Sequence, residues 1–249
     1  VDTTAGELLE AAHGRVIREL GDQPDIAATM LDQIGNIYVS LGKDDQARKL
    51  LEEALVMNAR AAHPSLLVEA SAGGRLAHYA YLDGHAARAL ATLDGIIERL
   101  RMHPDLVSQL SKMLQMKSAI LFATDRSEEG LAASAESASV LAAHADTLAS
   151  EYAYALAGYA DAAAAEDDGE TALQAVERAL ALPLLQSHEA PMLELAVLGA
   201  KVRALQTLQR DAEAAPILAS VIEVSSELFG RNVGRTRYWI YRQAQVLQK

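Results

Sequence analysis

The chain has 249 residues, 51% of them hydrophobic but only 4% aromatic, a balance with enough apolar material for a large core built from closely packed, alanine-rich helices rather than sheets. Its 34 acidic against 22 basic residues give a formal charge of −12, which repels phosphate backbones and argues against a nucleic-acid partner, and the lack of cysteine excludes disulfides and thiol chemistry without choosing a compartment. No apolar run nears the roughly 18 residues needed to span a bilayer, so direct membrane insertion is not expected, and a start at Val1 rather than methionine points to a piece of a longer chain.

Residues 1–22 predict a lone helix, "TTAGELLEAAHGRVIREL", opened by a capping box of Thr4 and Glu7. Residues 24–62 predict a helical hairpin in which Leu31, Ile34, Gly35 and Tyr38 face Ala47, Leu51 and Ala54 across the turn Gly42-Lys43-Asp44-Asp45. Hairpins follow at 64–103, 105–147, 148–187 and 190–230, with Asp83-Gly84-His85 and Asp167-Asp168-Gly169 as inner turns. His63-Pro64 and His103-Pro104 break the chain between hairpins. Residues 231–249 predict a second lone helix, with Ala244 and Leu247 in the repeat positions.

A period underlies this division. Small residues equivalent to Ala47 fall at Ala89, Gly130, Ala172 and Ala214, at spacings of 42, 41, 42 and 42. Seven residues later come Ala54, Ile96, Ser137, Ala179 and Val221, and nine residues earlier Tyr38, Ala80, Leu121, Ala163 and Leu205. Large and small residues in this arrangement form the tetratricopeptide pattern, lengthened from its usual period. The expectation is an all-α, TPR-like α-solenoid, a right-handed superhelix of five ~42-residue hairpins between two capping helices, forming one domain over residues 1–249. The third hairpin departs most: Gly130, Ser134 and Ser137 read either as tight packing by small side chains or as a looser joint or self-association face.

Gly6 to Leu55 resembles the start of the tetratricopeptide region that follows the kinase domain in many bacterial serine/threonine protein kinases. Thr4, Glu7, Leu8 and Leu9 match its opening; Leu20, Gln23 and Pro24 match the end of its first helix; Met30, Leu31, Ile34, Gly35 and Tyr38 match its hairpin. The resemblance implies a sensor or docking arm beside a kinase, on the extracytoplasmic (periplasmic) side of a membrane that a separate segment would cross. The kinase itself is not encoded in these residues, which hold no glycine-rich loop, His-Arg-Asp or Asp-Phe-Gly. The alternative is a cytoplasmic repeat domain of a bacterial transcriptional regulator that takes a peptide or small ligand in its groove.

In a repeat stack the first helix of each hairpin lines the inner wall. The outward positions are Asp32, Asn36 and Val39; Gly74, His78 and Tyr81; Lys112, Gln115, Ala119 and Phe122; Tyr154, Ala157 and Asp161; Gly199, Arg203 and Gln206; and Tyr238 and Tyr241 on the last helix. Of these, Asp32, Asn36, Val39, His78, Tyr81, Lys112, Phe122, Tyr154, Arg203, Tyr238 and Tyr241 are the candidate contacts for a protein or peptide ligand. The amide of Asn36 has the donor and acceptor to bridge a peptide backbone. Asp32 stands where chaperone-tail adaptors would need a lysine, which argues against capture of a terminal carboxylate. From Arg231 to Lys249 there are five basic residues and no acidic one, so this end reads either as a capping helix or as a docking end that stacks on an acidic neighbour.

No catalytic constellation emerges. The seven histidines are scattered without His-Glu-x-x-His spacing, Glu166-Asp167-Asp168 lacks the alternation of a calcium loop, and Gly73-Gly74 follows no strand that would make it a phosphate loop. No cofactor or metal is expected, and the chain does not read as an enzyme.

Overall fold

The computed structural model describes residues 5–187, 189–231 and 233–247, and every element among them is helical. Thr4, and with it the capping box, His188 and Lys249 lie outside the described residues, as do the side chains of Ala5, Arg235, Ala244 and Leu247. In chain order a lone helix, α1 (Ala5–Glu19), precedes the hairpin α2 (Pro24–Ser40) and α3 (Asp44–Arg60). The next first helix runs through α4 (Leu66–Val68), a π-turn (Glu69–Gly73) and α5 (Gly74–Leu82) before its partner α6 (Ala86–Leu100). A 3-10 turn (Pro104–Leu106) leads into α7 (Val107–Phe122) and α8 (Ser127–Ala142), followed by α9 (Ala149–Ala165) and α10 (Gly169–Leu180). A short α11 (Pro183–Gln186) precedes α12 (Pro191–Thr207), α13 (Asp211–Phe229) and the lone α14 (Gly234–Leu247).

The period governs the backbone as well as the core. Each marker residue, Ala47, Ala89, Gly130, Ala172 or Ala214, is the fourth residue of its second helix. All five are buried, as are all five residues seven positions later and all five nine positions earlier. The inner turns share one geometry too, with Gly42, Gly84, Asp125, Asp167 and Gln209 all at positive φ. The next residue's N–H donates back across the turn to a buried first-helix carbonyl: Lys43 to Tyr38 (3.0 Å), His85 to Ala80 (2.8 Å), Arg126 to Leu121 (2.9 Å), Asp168 to Ala163 (2.9 Å) and Arg210 to Leu205 (2.8 Å). This bond satisfies carbonyls that the end of a helix would otherwise leave open.

The chain divides into two compact units, Val1–Ile120 and Leu121–Lys249. In the first, Leu31, Leu51, Ala27, Ala28, Ala47 and Ala54 form a core with no exposed surface, and Val68, Ala72 and Tyr79 of the next first helix extend it. Gly35 lets the hairpin close, since a Cβ there would lie 2.9 Å from Leu51 Cδ2. Gly73 and Gly74 have a packing role: a Cβ on Gly73 would meet Ile96 of its own hairpin at 2.9 Å, and one on Gly74 would meet Met113 of the next first helix at 2.8 Å. On the turn side, Arg48 grips the Asp83 carboxylate at 2.5 and 2.9 Å and lies 4.3 Å from the Tyr79 ring centre, while the Tyr79 hydroxyl donates to Asp44 (2.9 Å).

In the second unit, alanine and valine let α9, α10 and α12 pack closely: Ala160, Ala163, Ala172, Val176, Ala179, Val197 and Ala200 show no exposure. Gly130, Ser134 and Ser137 are buried as well, and the Ser134 hydroxyl donates to the Leu131 carbonyl (2.9 Å), so the small residues of the third hairpin serve tight packing. Gly169 begins α10 because a Cβ there would come within 2.6 Å of Leu208 Cγ. Trp239 covers Leu195, Val202, Leu218 and Val221, and lies where a Cβ on Gly199 would meet it at 2.8 Å. A buried Ser225–Thr236 hydroxyl pair (2.8 Å) fixes α14 to α13. No described helix is long and apolar enough to cross a membrane.

Candidate functional site

In the first unit, α2, the α4–α5 helix and α7 border a cleft of about 680 Å³. Three of the sequence-predicted contacts, Asp32, Asn36 and Lys112, line it. Sequence reasoning missed Arg75, Gln33, Gln109, Met113 and Met116, which line it together with residues such as Thr29, Ser65 and Ser71. They lie beside predicted wall positions, and the step from one first helix to the next is what brings them in. Hydroxyl, amide and cationic groups thus share the cleft with methionine thioethers, which adapt their shape to what they contact.

Asp32 is only 4% exposed, so its expected place on an open wall is corrected: the neighbouring first helix closes over it. Its Oδ1 accepts from the Ser71 hydroxyl (2.8 Å) and from Asn36 Nδ2 (3.1 Å). Burial pushes its carboxyl above the usual aspartate range, and the donors and Arg75 oppose that shift without cancelling it. Asn36 is likewise corrected as a free backbone reader, because its Nδ2 already donates to the Asp32 carbonyl (2.9 Å) and approaches Ser71 Oγ (3.1 Å). Arg75 and Lys112, both exposed, line the cleft, which is therefore cationic on a chain whose net charge is −12.

The other predicted contacts are distributed differently. Val39, His78, Tyr81 and Phe122 are half-buried and outside the cleft lining, with the His78 ring 6.5 Å from the Tyr81 ring. Gly74, Ala157 and Gly199, read as outward, are buried. In the second unit Tyr154, Arg203 and Tyr238 line a second hollow, of about 530 Å³, with Met192 and Trp239 among others. Arg203 is already engaged there: Nε and Nη2 each donate to an Asp161 carboxylate oxygen at 2.7 Å, and the guanidinium lies 5.5 Å from the Trp239 ring centre. Tyr241 is exposed and outside this hollow. Among the described residues no three His, Asp or Glu side chains are grouped to hold a metal ion.

The fold is that of tetratricopeptide-like helical-repeat proteins. The chain is similar to BtubC (BKLC) from P. vanneervenii, with a TM-score of 0.73, 14% identity, and coverage of 93% of this chain and 95% of that one. It is also similar to a Podosopora anserina putative kinesin light chain of nearly identical TPR-like repeats (TM-score 0.62, 18% identity, 83% and 98% covered). A Rap protein solved in complex with Competence and Sporulation Factor matches at a TM-score of 0.55 and 13% identity, over 99% of this chain and 77% of that one. No family model and no curated protein matches the sequence. At these identities the likeness concerns the fold.

Proposed function

We propose that the chain is a non-catalytic protein-interaction array, and that the cleft bordered by α2, α4–α5 and α7 receives an extended peptide segment bearing acidic side chains. The carrying observation is local charge: Arg75 and Lys112 line the cleft and are exposed, while its one acid, Asp32, is enclosed. Gln33 and Gln109 supply amides for a peptide backbone, and Met113 and Met116 supply adaptable apolar surface. The Rap protein of similar fold, solved in complex with Competence and Sporulation Factor, supports a ligand-binding reading of the array.

Selection from a displayed peptide library tests this. Acidic sequences are expected, with binding that weakens as salt rises and falls at least tenfold in Arg75→Glu/Lys112→Glu at unchanged far-UV circular dichroism. Enrichment of neutral or basic peptides, or binding indifferent to the double variant, overturns the reading.

The wider setting rests on the resemblance carried by Gly6 to Leu55. We read the array as the sensor or docking arm of a bacterial serine/threonine kinase, held on the outer side of a membrane. The second reading is a cytoplasmic ligand-binding domain of a transcriptional regulator. Upstream coding sequence separates them: a kinase catalytic loop followed by about 20 apolar residues supports the first, a helix-turn-helix the second.

A further inference from the structure

The carboxylate of Asp32 is out of keeping with its place in the repeat. Fifteen residues before the markers stand Asp32, Gly74, Gln115, Ala157 and Gly199, and only the first of these is charged. Glycine or alanine serves this position in three hairpins, so stacking does not call for a carboxylate, and burying one is costly unless a partner offsets it. Asp161 shows such an offset, since Arg203 donates to both of its oxygens at 2.7 Å. Asp32 has no ion pair among the described residues, and burial keeps its carboxyl above the usual range despite two hydrogen bonds and the attraction of Arg75.

Its two oxygens are used unequally. Ser71 Oγ (2.8 Å) and Asn36 Nδ2 (3.1 Å) both donate to Oδ1, and no described residue donates to Oδ2. Oδ2 still touches the cleft that Asp32 lines, because among the described residues Arg242 Nε is the one sealed side-chain polar atom that lacks a partner. On a side chain only 4% exposed, one acceptor is therefore turned to the space a ligand would fill.

We propose that the ligand of this cleft carries a primary ammonium group beside its acidic side chains, and that Asp32 Oδ2 receives it. The proposal rests on the acidic-peptide reading of the same cleft. A cation is called for because neutral donors already serve Oδ1 without balancing the burial of the charge. An ammonium suits the single remaining oxygen, whereas a guanidinium fork needs two parallel acceptors. A metal ion needs several ligands, and among the described residues no three His, Asp or Glu side chains are grouped to provide them. Arg75 and Lys112, in the same lining, face the acidic groups of the same molecule. The amino terminus of a peptide and a lysine side chain both supply an ammonium of this kind.

The test measures capture by the immobilised 249-residue chain of three pools of glutamate-rich hexapeptides: one with a free amino terminus, one N-acetylated, and one N-acetylated with a single lysine. Mass spectrometry of the bound fraction is expected to show at least one amine-bearing pool retained about tenfold more strongly than the plain acetylated pool, and which one identifies the source of the ammonium. Asp32→Asn keeps an acceptor for Ser71 and Asn36, and is expected to abolish that preference while raising capture of the acetylated pool, since it removes a negative charge from the cleft. Unchanged circular dichroism verifies folding. Equal capture of all three pools that Arg75→Glu/Lys112→Glu abolishes overturns the ammonium and leaves the acidic reading standing. A preference for amines that survives Asp32→Asn also overturns it, by placing the ammonium elsewhere, and capture of none of the pools overturns both readings. A preference that Asp32→Asn removes and Arg75→Glu/Lys112→Glu does not affect upholds the ammonium and strikes the acidic reading alone.

Discussion

Asp32 and Gln209 show how single residues carry cost for the sake of the repeat. Asp32 takes up a proton more readily folded than unfolded, because burial raises its carboxyl. Between the unfolded and folded pKa values the native state therefore binds more protons, and this group's contribution to stability falls as pH rises through that window. Asp32→Asn keeps an oxygen for Ser71 and Asn36 and removes the charge. The variant is expected to melt higher than the parent near pH 7, with the advantage shrinking as pH drops to about 4, the ordinary aspartate range. Thermal denaturation across pH measures it, and an advantage independent of pH would contradict the account. Gln209 sits at φ 56° with a side chain that disfavours it. Gln209→Gly should raise stability by about 1 kcal/mol, while Gly84→Ala, at φ 84°, should lower it by a similar amount.

At the scale of elements, helices approach where one partner gives up its side chain. Gly199 and Trp239 are the clearest pair, and Trp239 is the only tryptophan, so its fluorescence reports on the contact. Gly199→Leu is expected to cost about 1–3 kcal/mol by overpacking and to shift the emission toward that of a hydrated indole. Trp239→Ala in the same chain should recover part of the loss in circular-dichroism melts, a coupling that independent sites do not show. The π-turn at Glu69–Gly73 belongs to this scale too, since it lies where one helix must admit Ile96 on one side and Met113 on the other.

For the molecule as a whole, stability in a repeat array is close to a sum of hairpin terms and nearest-neighbour contacts. A defect should therefore stay local. Gly74→Leu, which strikes Met113, is expected to reduce hydrogen-exchange protection across residues 66–120 and leave residues 191–229 unchanged. Uniform loss of protection would mean the chain unfolds as one cooperative block. The charge of −12 belongs here as well: it keeps polyanions away while Arg75 and Lys112 give one cleft the opposite sign.

The amino-acid order by itself determined the period, the hairpins and the buried marker positions, because small and large residues spaced along a helix fix which stripe can close on its neighbour. Glycine announced the turns at Gly42 and Gly84, but Asp125, Asp167 and Gln209 occupy the same backbone conformation without that signal. Only the tertiary structure decided which wall positions face solvent. Asp32, Gly74, Ala157 and Gly199 read as outward from the period, yet each is enclosed. It also spent the Asn36 amide on Asp32 and Ser71, and it left Met30 exposed while burying Met113 in the same repeat position. The reason is physical: periodicity is a property of one helix, whereas burial depends on what the next helix brings to it.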